Sequence, residues 1–136
     1  MDLNFYKNNG WVHIRDVVPN EIVTELRKRA IKLREWVNDK QGQPSEFGPL
    51  FHWKGVGCAG MYDKFLMEFY NHEIMYDISS ELLETKDVWK YNDQVVVKLP
   101  NDAFDFKPHT DNTAGGNLNE GGNTVNMCVI LDDFTD

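Results

Sequence analysis

The chain has 136 residues and a formal charge of −8, long enough for one domain with its own core. Hydrophobic residues make up 41% of it and aromatic ones 12%, which excludes the composition of a disordered chain. The acidic balance, with no Lys/Arg block, argues against nucleic acid as a partner, because an acidic surface repels a phosphate backbone.

Cys58 and Cys128 are far apart and form no C-x-x-C, so neither a zinc finger nor a disulfide framework is expected. Cys128 lies in an apolar run and is expected to be a buried, reduced thiol. No stretch approaches the roughly 18 consecutive apolar residues of a membrane helix. Met1–Asn4 does not open a signal peptide. These features lead to the expectation of a soluble, cytoplasmic protein with no membrane partner.

In chain order, Trp11–Val18 alternates, with Val12 and Ile14 on one side and His13 and Arg15 on the other; it reads as a half-buried strand. Pro19 and Asn20 mark a helix start. The helix that follows has an apolar face of Ile22, Leu26, Ala30, Leu33 and Val37, with Arg27, Lys28, Lys32 and Arg34 expected in solvent. Residues 41–49 read as a loop. Met61–Tyr70 and Glu73–Leu83 read as two more helices, with core faces of Met61, Phe65 and Phe69 and of Ile74, Ile78 and Leu82. From Val88 the character changes. Val88–Leu99 is rich in β-branched and aromatic residues and reads as a strand. Thr113–Asn123 is a Gly/Asn loop, and Thr124–Leu131 reads as a second strand. Helices first and strands last suggest an α+β layout, with helices over one side of an antiparallel sheet.

One tripeptide, His109–Thr110–Asp111, carries chemistry. A spacing of two puts imidazole and carboxylate on the same face of an extended segment, where both can reach one ion. Two His and one carboxylate form the facial triad of non-haem Fe(II) oxygenases, whose open positions take co-substrate and O₂. A second His must then come from elsewhere. His13 alternates with apolar neighbours and is expected in solvent, His72 lies at a helix boundary, and His52 is flanked by glycines; none is a strong candidate. Alone, H-x-D is also common as a solvated or capping pair. Here a β-rich run precedes it, and a Gly/Asn loop and an apolar strand follow.

Those flanks resemble the phytanoyl-CoA dioxygenase family. The likeness runs through Val88–Trp89, Asn92–Lys98, Phe106–Asp111 and Val129–Asp133, and more diffusely through Gly10–Val18 and the helix carrying Glu21, Val23 and Leu26. It implies a partial double-stranded β-helix, a jelly roll of cupin-like form, with N-terminal flanking helices. It also implies Fe(II) held by His109 and Asp111 with a distal His, and 2-oxoglutarate held with help from a distal basic residue. The implied reaction is hydroxylation of a small organic or lipid-like molecule, giving succinate and CO₂. Asp111 favours hydroxylation over halogenation, since halogenating relatives replace that carboxylate with a small residue.

The resemblance also implies strands beyond Leu131, a later His and a later Arg. No His follows His109 and no Arg follows Arg34. The chain, residues 1–136, is therefore expected to be the N-terminal portion of such a domain, truncated at its C-terminus and inactive or weakly active by itself. Gln94, Val96 and Lys98 share one strand face, and in the family this strand lies beside the iron. Gln94 and Lys98 are thus candidates for co-substrate or substrate contact, as are Asn126 and Thr113; for each, a solvated or sheet-bonded side chain is the plain alternative. Trp53 could line an entrance or pack in the core. A non-catalytic alternative is a fragment that binds a ligand or self-associates through an unclosed sheet edge. Another is a jelly-roll enzyme using a different divalent ion.

Overall fold

The computed structural model describes residues 1–40, 55–57, 59–97 and 124–133. The first element is α1 (Leu3–Asn9), too short to show a helical period in the sequence. Local caps define it: Asp2 Oδ1 accepts the Phe5 N–H at 2.9 Å, and Gly10 closes the helix in the left-handed region at φ +77°, where glycine carries no steric penalty. The Phe5 ring meets Trp11 edge-on at 5.0 Å.

Residues 11–18 keep the predicted alternation, with Val12 and Ile14 half-buried and His13 and Arg15 exposed. They nevertheless pair with no strand among the described residues, and Asp16, at φ +57°, interrupts the extended run. The long helix α2 spans Asn20–Lys40. Its first turn is closed by the Pro19 carbonyl, which accepts from Ile22 and Val23 N–H at 2.9 and 3.0 Å. Leu26, Ala30 and Leu33 are buried along one face, as their spacing predicts. Arg34 corrects the sequence reading: it is 3% exposed rather than solvated. It follows Leu33 at the margin of the apolar stripe, where a long side chain can lay its stem along the core.

A three-residue strand, β1 (Gly55–Gly57), leads to a 3-10 turn, Ala59–Met61. Then come α3 (Lys64–Tyr70) and α4 (Glu73–Leu83). Each starts on a side-chain cap. Asp63 Oδ1 accepts from the N–H groups of Phe65 and Leu66 at 2.9 and 3.1 Å, and His72 Nδ1 accepts from Ile74 N–H at 3.3 Å. Thus His72 is a capping residue, as its boundary position suggested. On α4 the buried face is Met75, Ser79 and Leu82, one residue round from the predicted one, with Ile74 and Ile78 half-buried. The shift is possible because Ser79 satisfies its hydroxyl internally, donating to the Met75 carbonyl at 2.7 Å. Met61 is 71% exposed and lies ahead of α3, so it does not join the Phe65–Phe69 face.

Within Val88–Leu99, only β2 (Gln94–Val96) forms a ladder, antiparallel to β1, with Gly55 opposite Val96, Val56 opposite Val95 and Gly57 opposite Gln94. One buried cluster joins α2 and α3 to β2. Leu26 and Leu33 of α2, Ala59 of the turn and Leu66 of α3 form its centre. Val18, Ile22, Trp36, Phe65, Phe69, Val95, Val129 and Leu131 pack around it.

Candidate functional site

Two segments that flank the His-x-Asp motif in sequence dock on that same cluster. Val95 of β2 packs there from before the motif, and Val129 and Leu131 pack there from after it. Residues 124–131 alternate in burial: Val125, Met127, Val129 and Leu131 are half-buried, while Thr124, Asn126, Cys128 and Ile130 are exposed. This is the period of an extended segment lying on a core, although no ladder partner for it occurs among the described residues. Arg27 of α2 holds the segment's far end, with Nε 2.6 Å from Asp132 Oδ1.

Gln94 is exposed, on the opposite side of β2 from the core-facing Val95. Asn126 is likewise exposed, opposite in alternation to Val125 and Met127. Both amides therefore lie away from the hydrophobic cluster. Cys128 is a free, exposed thiol, correcting the expectation of burial: the inward positions are taken by its neighbours Met127 and Val129. His109, Asp111, Lys98 and Thr113 lie outside the described residues, as do His52, Trp53 and the Gly/Asn loop. Among the described residues no three of His, Cys, Asp and Glu converge as metal ligands. His13 is exposed. A shallow depression of about 620 Å³ at the C-terminal end of α4, between Tyr76, Ser80, Glu84 and Lys86, includes none of the sequence candidates.

The donor types at the motif suit iron: one imidazole nitrogen and one carboxylate oxygen are two of the three donors of a facial triad. A model of the family described as phytanoyl-CoA dioxygenase (PhyH) matches residues 6–136. The chain belongs to that family. The match takes in α1 from Tyr6, all the other helices, β2, the His-x-Asp motif and the segment docked by Val129. No curated protein and no solved structure matches the chain. PhyH is a family of dioxygenases that generally depend on Fe(II) and 2-oxoglutarate.

Two groups that support this PhyH scaffold carried weak sequence signals. Asp63 is signalled only by its place just before an apolar helical run. It caps α3 and also accepts from Arg29 Nη1 through both carboxylate oxygens, at 3.0 and 2.9 Å. Partial burial pushes the Asp63 carboxyl up, but the Arg29 hydrogen bond and the backbone N–H groups of Leu66 and Phe65 outweigh it, so its pKa lies below the ordinary value. Asp93, quoted above only within the family likeness, accepts the buried Gly60 N–H at 2.8 Å.

Proposed function

We propose that the protein is an Fe(II)- and 2-oxoglutarate-dependent oxygenase that hydroxylates a small organic or lipid-like substrate. The family match across residues 6–136 carries this reading, because it includes His109–Thr110–Asp111 in a segment bounded by two core-docked stretches. His109 and Asp111 would hold the iron, and a third protein ligand is unassigned. When bound, the metal and 2-oxoglutarate supply the oxidising chemistry.

The chain's own contribution is binding and orientation. The Lys98 ammonium offers a cation for a co-substrate carboxylate. Gln94 and Asn126, placed on the side away from the hydrophobic cluster, offer amide donors and acceptors, and Thr113 a hydroxyl. Asp111 keeps a carboxylate where halogenating enzymes need space, so hydroxylation is the expected outcome. The scaffold in this reading is a double-stranded β-helix with β2 and residues 124–131 as two of its strands, flanked by α1 to α4. No described helix is long and apolar enough to cross a membrane, and we place the protein in the cytoplasm.

The experiment is succinate release from 2-oxoglutarate with Fe(II) and O₂, across a panel of small hydroxylatable substrates. Substrate-stimulated release that disappears in His109→Ala supports the reading. Turnover that needs a divalent ion but not 2-oxoglutarate would move the protein to a different metal chemistry.

A further inference from the structure

Gly60 is buried in the turn before α3, and its backbone lies so close to the helix that a Cβ there would sit 3.1 Å from Met67 Cα. Its N–H is therefore shut off from water, and a buried N–H without an acceptor is costly. Asp93 Oδ2 provides that acceptor at 2.8 Å. The β1–β2 ladder ends at Gly57 and Gln94, so this bond carries the pairing of the two chain segments three residues past β1. Lys90 fastens the other end of the same stretch. Its Nζ donates to the Tyr70 carbonyl and to Asn71 Oδ1, and lies 4.0 Å from the centre of the Tyr70 ring. Residues 90–93 are thus tied to the C-terminal end of α3 by Lys90 and to the turn before α3 by Asp93.

Such a tie has a consequence for β2. Side chains on a strand alternate, so a slip of one residue would turn Val95 out and bring Gln94 and Val96 in. A ladder of three pairs, two of them with glycine on β1, offers little side-chain packing to resist that slip. We propose that Asp93 is a positioning residue: through the Gly60 N–H it locks the register of β2 and so keeps Gln94 on the side where the co-substrate binds. The second half of this statement rests on the oxygenase reading above.

The test compares Asp93→Ala, Asp93→Asn and Leu82→Ala in the full chain. Asn keeps a carbonyl oxygen that can accept the Gly60 N–H, while Ala removes it. Leu82 is buried in α4 and is not a member of the cluster on which Val95 packs. It therefore serves as a destabilised control. Asp93→Ala should raise KM for 2-oxoglutarate about tenfold with kcat changed less than about threefold, as expected for loss of a charge-assisted hydrogen bond that orients a binding group. Asp93→Asn should stay near wild type, and Leu82→Ala should lower Tm without moving KM. Amide hydrogen exchange reads the register separately: the amides of the ladder, Gly55–Gly57 and Gln94–Val96, should lose protection in Asp93→Ala and keep it in Asp93→Asn. An unchanged KM with β1 and β2 amides as protected in Asp93→Ala as in wild type overturns the proposal, as does an Asn variant as impaired as Ala. Absence of both 2-oxoglutarate turnover and Fe(II)-dependent 2-oxoglutarate binding in the wild type overturns the oxygenase reading and the co-substrate half with it; exchange in β1 and β2 then decides the register half alone.

Discussion

Arg29 and Asp63 are joined through one nitrogen and two oxygens: Arg29 Nη1 donates to Asp63 Oδ1 and Oδ2 at 3.0 and 2.9 Å, while the same carboxylate caps α3. Arg29 Nε also donates to Glu25 Oε1 at 2.7 Å, and its guanidinium carbon lies 5.0 Å from the centre of the Phe65 ring. A single carboxylate thus fixes where α3 begins and how it meets α2. Removing it by Asp63→Ala should cost about 1–3 kcal/mol, the loss of a cap together with a partly buried charged hydrogen bond. Urea denaturation of both proteins checks this.

The same group sets an acid limit. The Asp63 pKa is lowered in the folded state, so its contribution is fully present above the unfolded carboxylate pKa of about 3.9 and is lost as pH falls through the lower folded value. Glu25, also lowered, chiefly by its Arg29 hydrogen bond, shifts in the same direction. Asp63→Asn should therefore flatten the fall in stability below about pH 4, measured as Tm against pH. An unchanged acid slope would show that the ion pair is not what fails.

Leu26 and Val129 share one buried cluster although they are far apart in sequence. Leu26→Ala should cost about 2–5 kcal/mol. Val129, only half-buried, should cost less. Because both pack on the same centre, the double variant should depart from additivity by about 0.5 kcal/mol or more. Strict additivity in a double-mutant cycle would mean that residues 124–131 are not docked on α2.

Arg27 and Asp132 form an exposed pair, with side chains 50% and 68% accessible. Solvent screening limits such a pair to about 0–1 kcal/mol. Asp132→Asn should thus leave stability almost unchanged in physiological salt, and the small difference should vanish at high ionic strength, as followed by thermal melts.

Cys128 is exposed in the folded protein. A thiol alkylating reagent should modify it under native conditions, with the adduct located by peptide mass spectrometry. Resistance of Cys128 until denaturant is added would return it to the buried position its apolar neighbours suggested.

Much of this fold can be read in the sequence where the period is long. α2 shows its Leu26–Ala30–Leu33 face, and α3 and α4 show theirs to within a residue. Short elements cannot be read that way. α1 depends on two caps rather than on a pattern, and β1 is three residues, two of them glycine. Trp11–Val18 carries a strand's alternation, but a strand also needs a partner, and alternation cannot supply one. Val95, Val129 and Leu131 could be assigned to an inward face from period two, yet only the structure places them on the same cluster. Arg34 and Cys128 went the other way. Side-chain type and neighbours set their expected burial, and position at the edge of a packed face decided it. At the candidate site, His109–Thr110–Asp111 is a candidate from its residue types alone, and period two places Gln94 and Asn126 on the exposed side of their segments. The Asp93–Gly60 tie could not, since it joins residues 33 apart in the chain.

The central claim is that His109 and Asp111 hold Fe(II) for 2-oxoglutarate chemistry. Anaerobic calorimetric titration of the chain with Fe(II), in the presence of 2-oxoglutarate, tests it most directly. Saturable binding should weaken at least about tenfold in both His109→Ala and Asp111→Ala, since even outer partners of metal ligands are worth that much. Fe(II) binding that is equally tight in wild type and in both variants would contradict it.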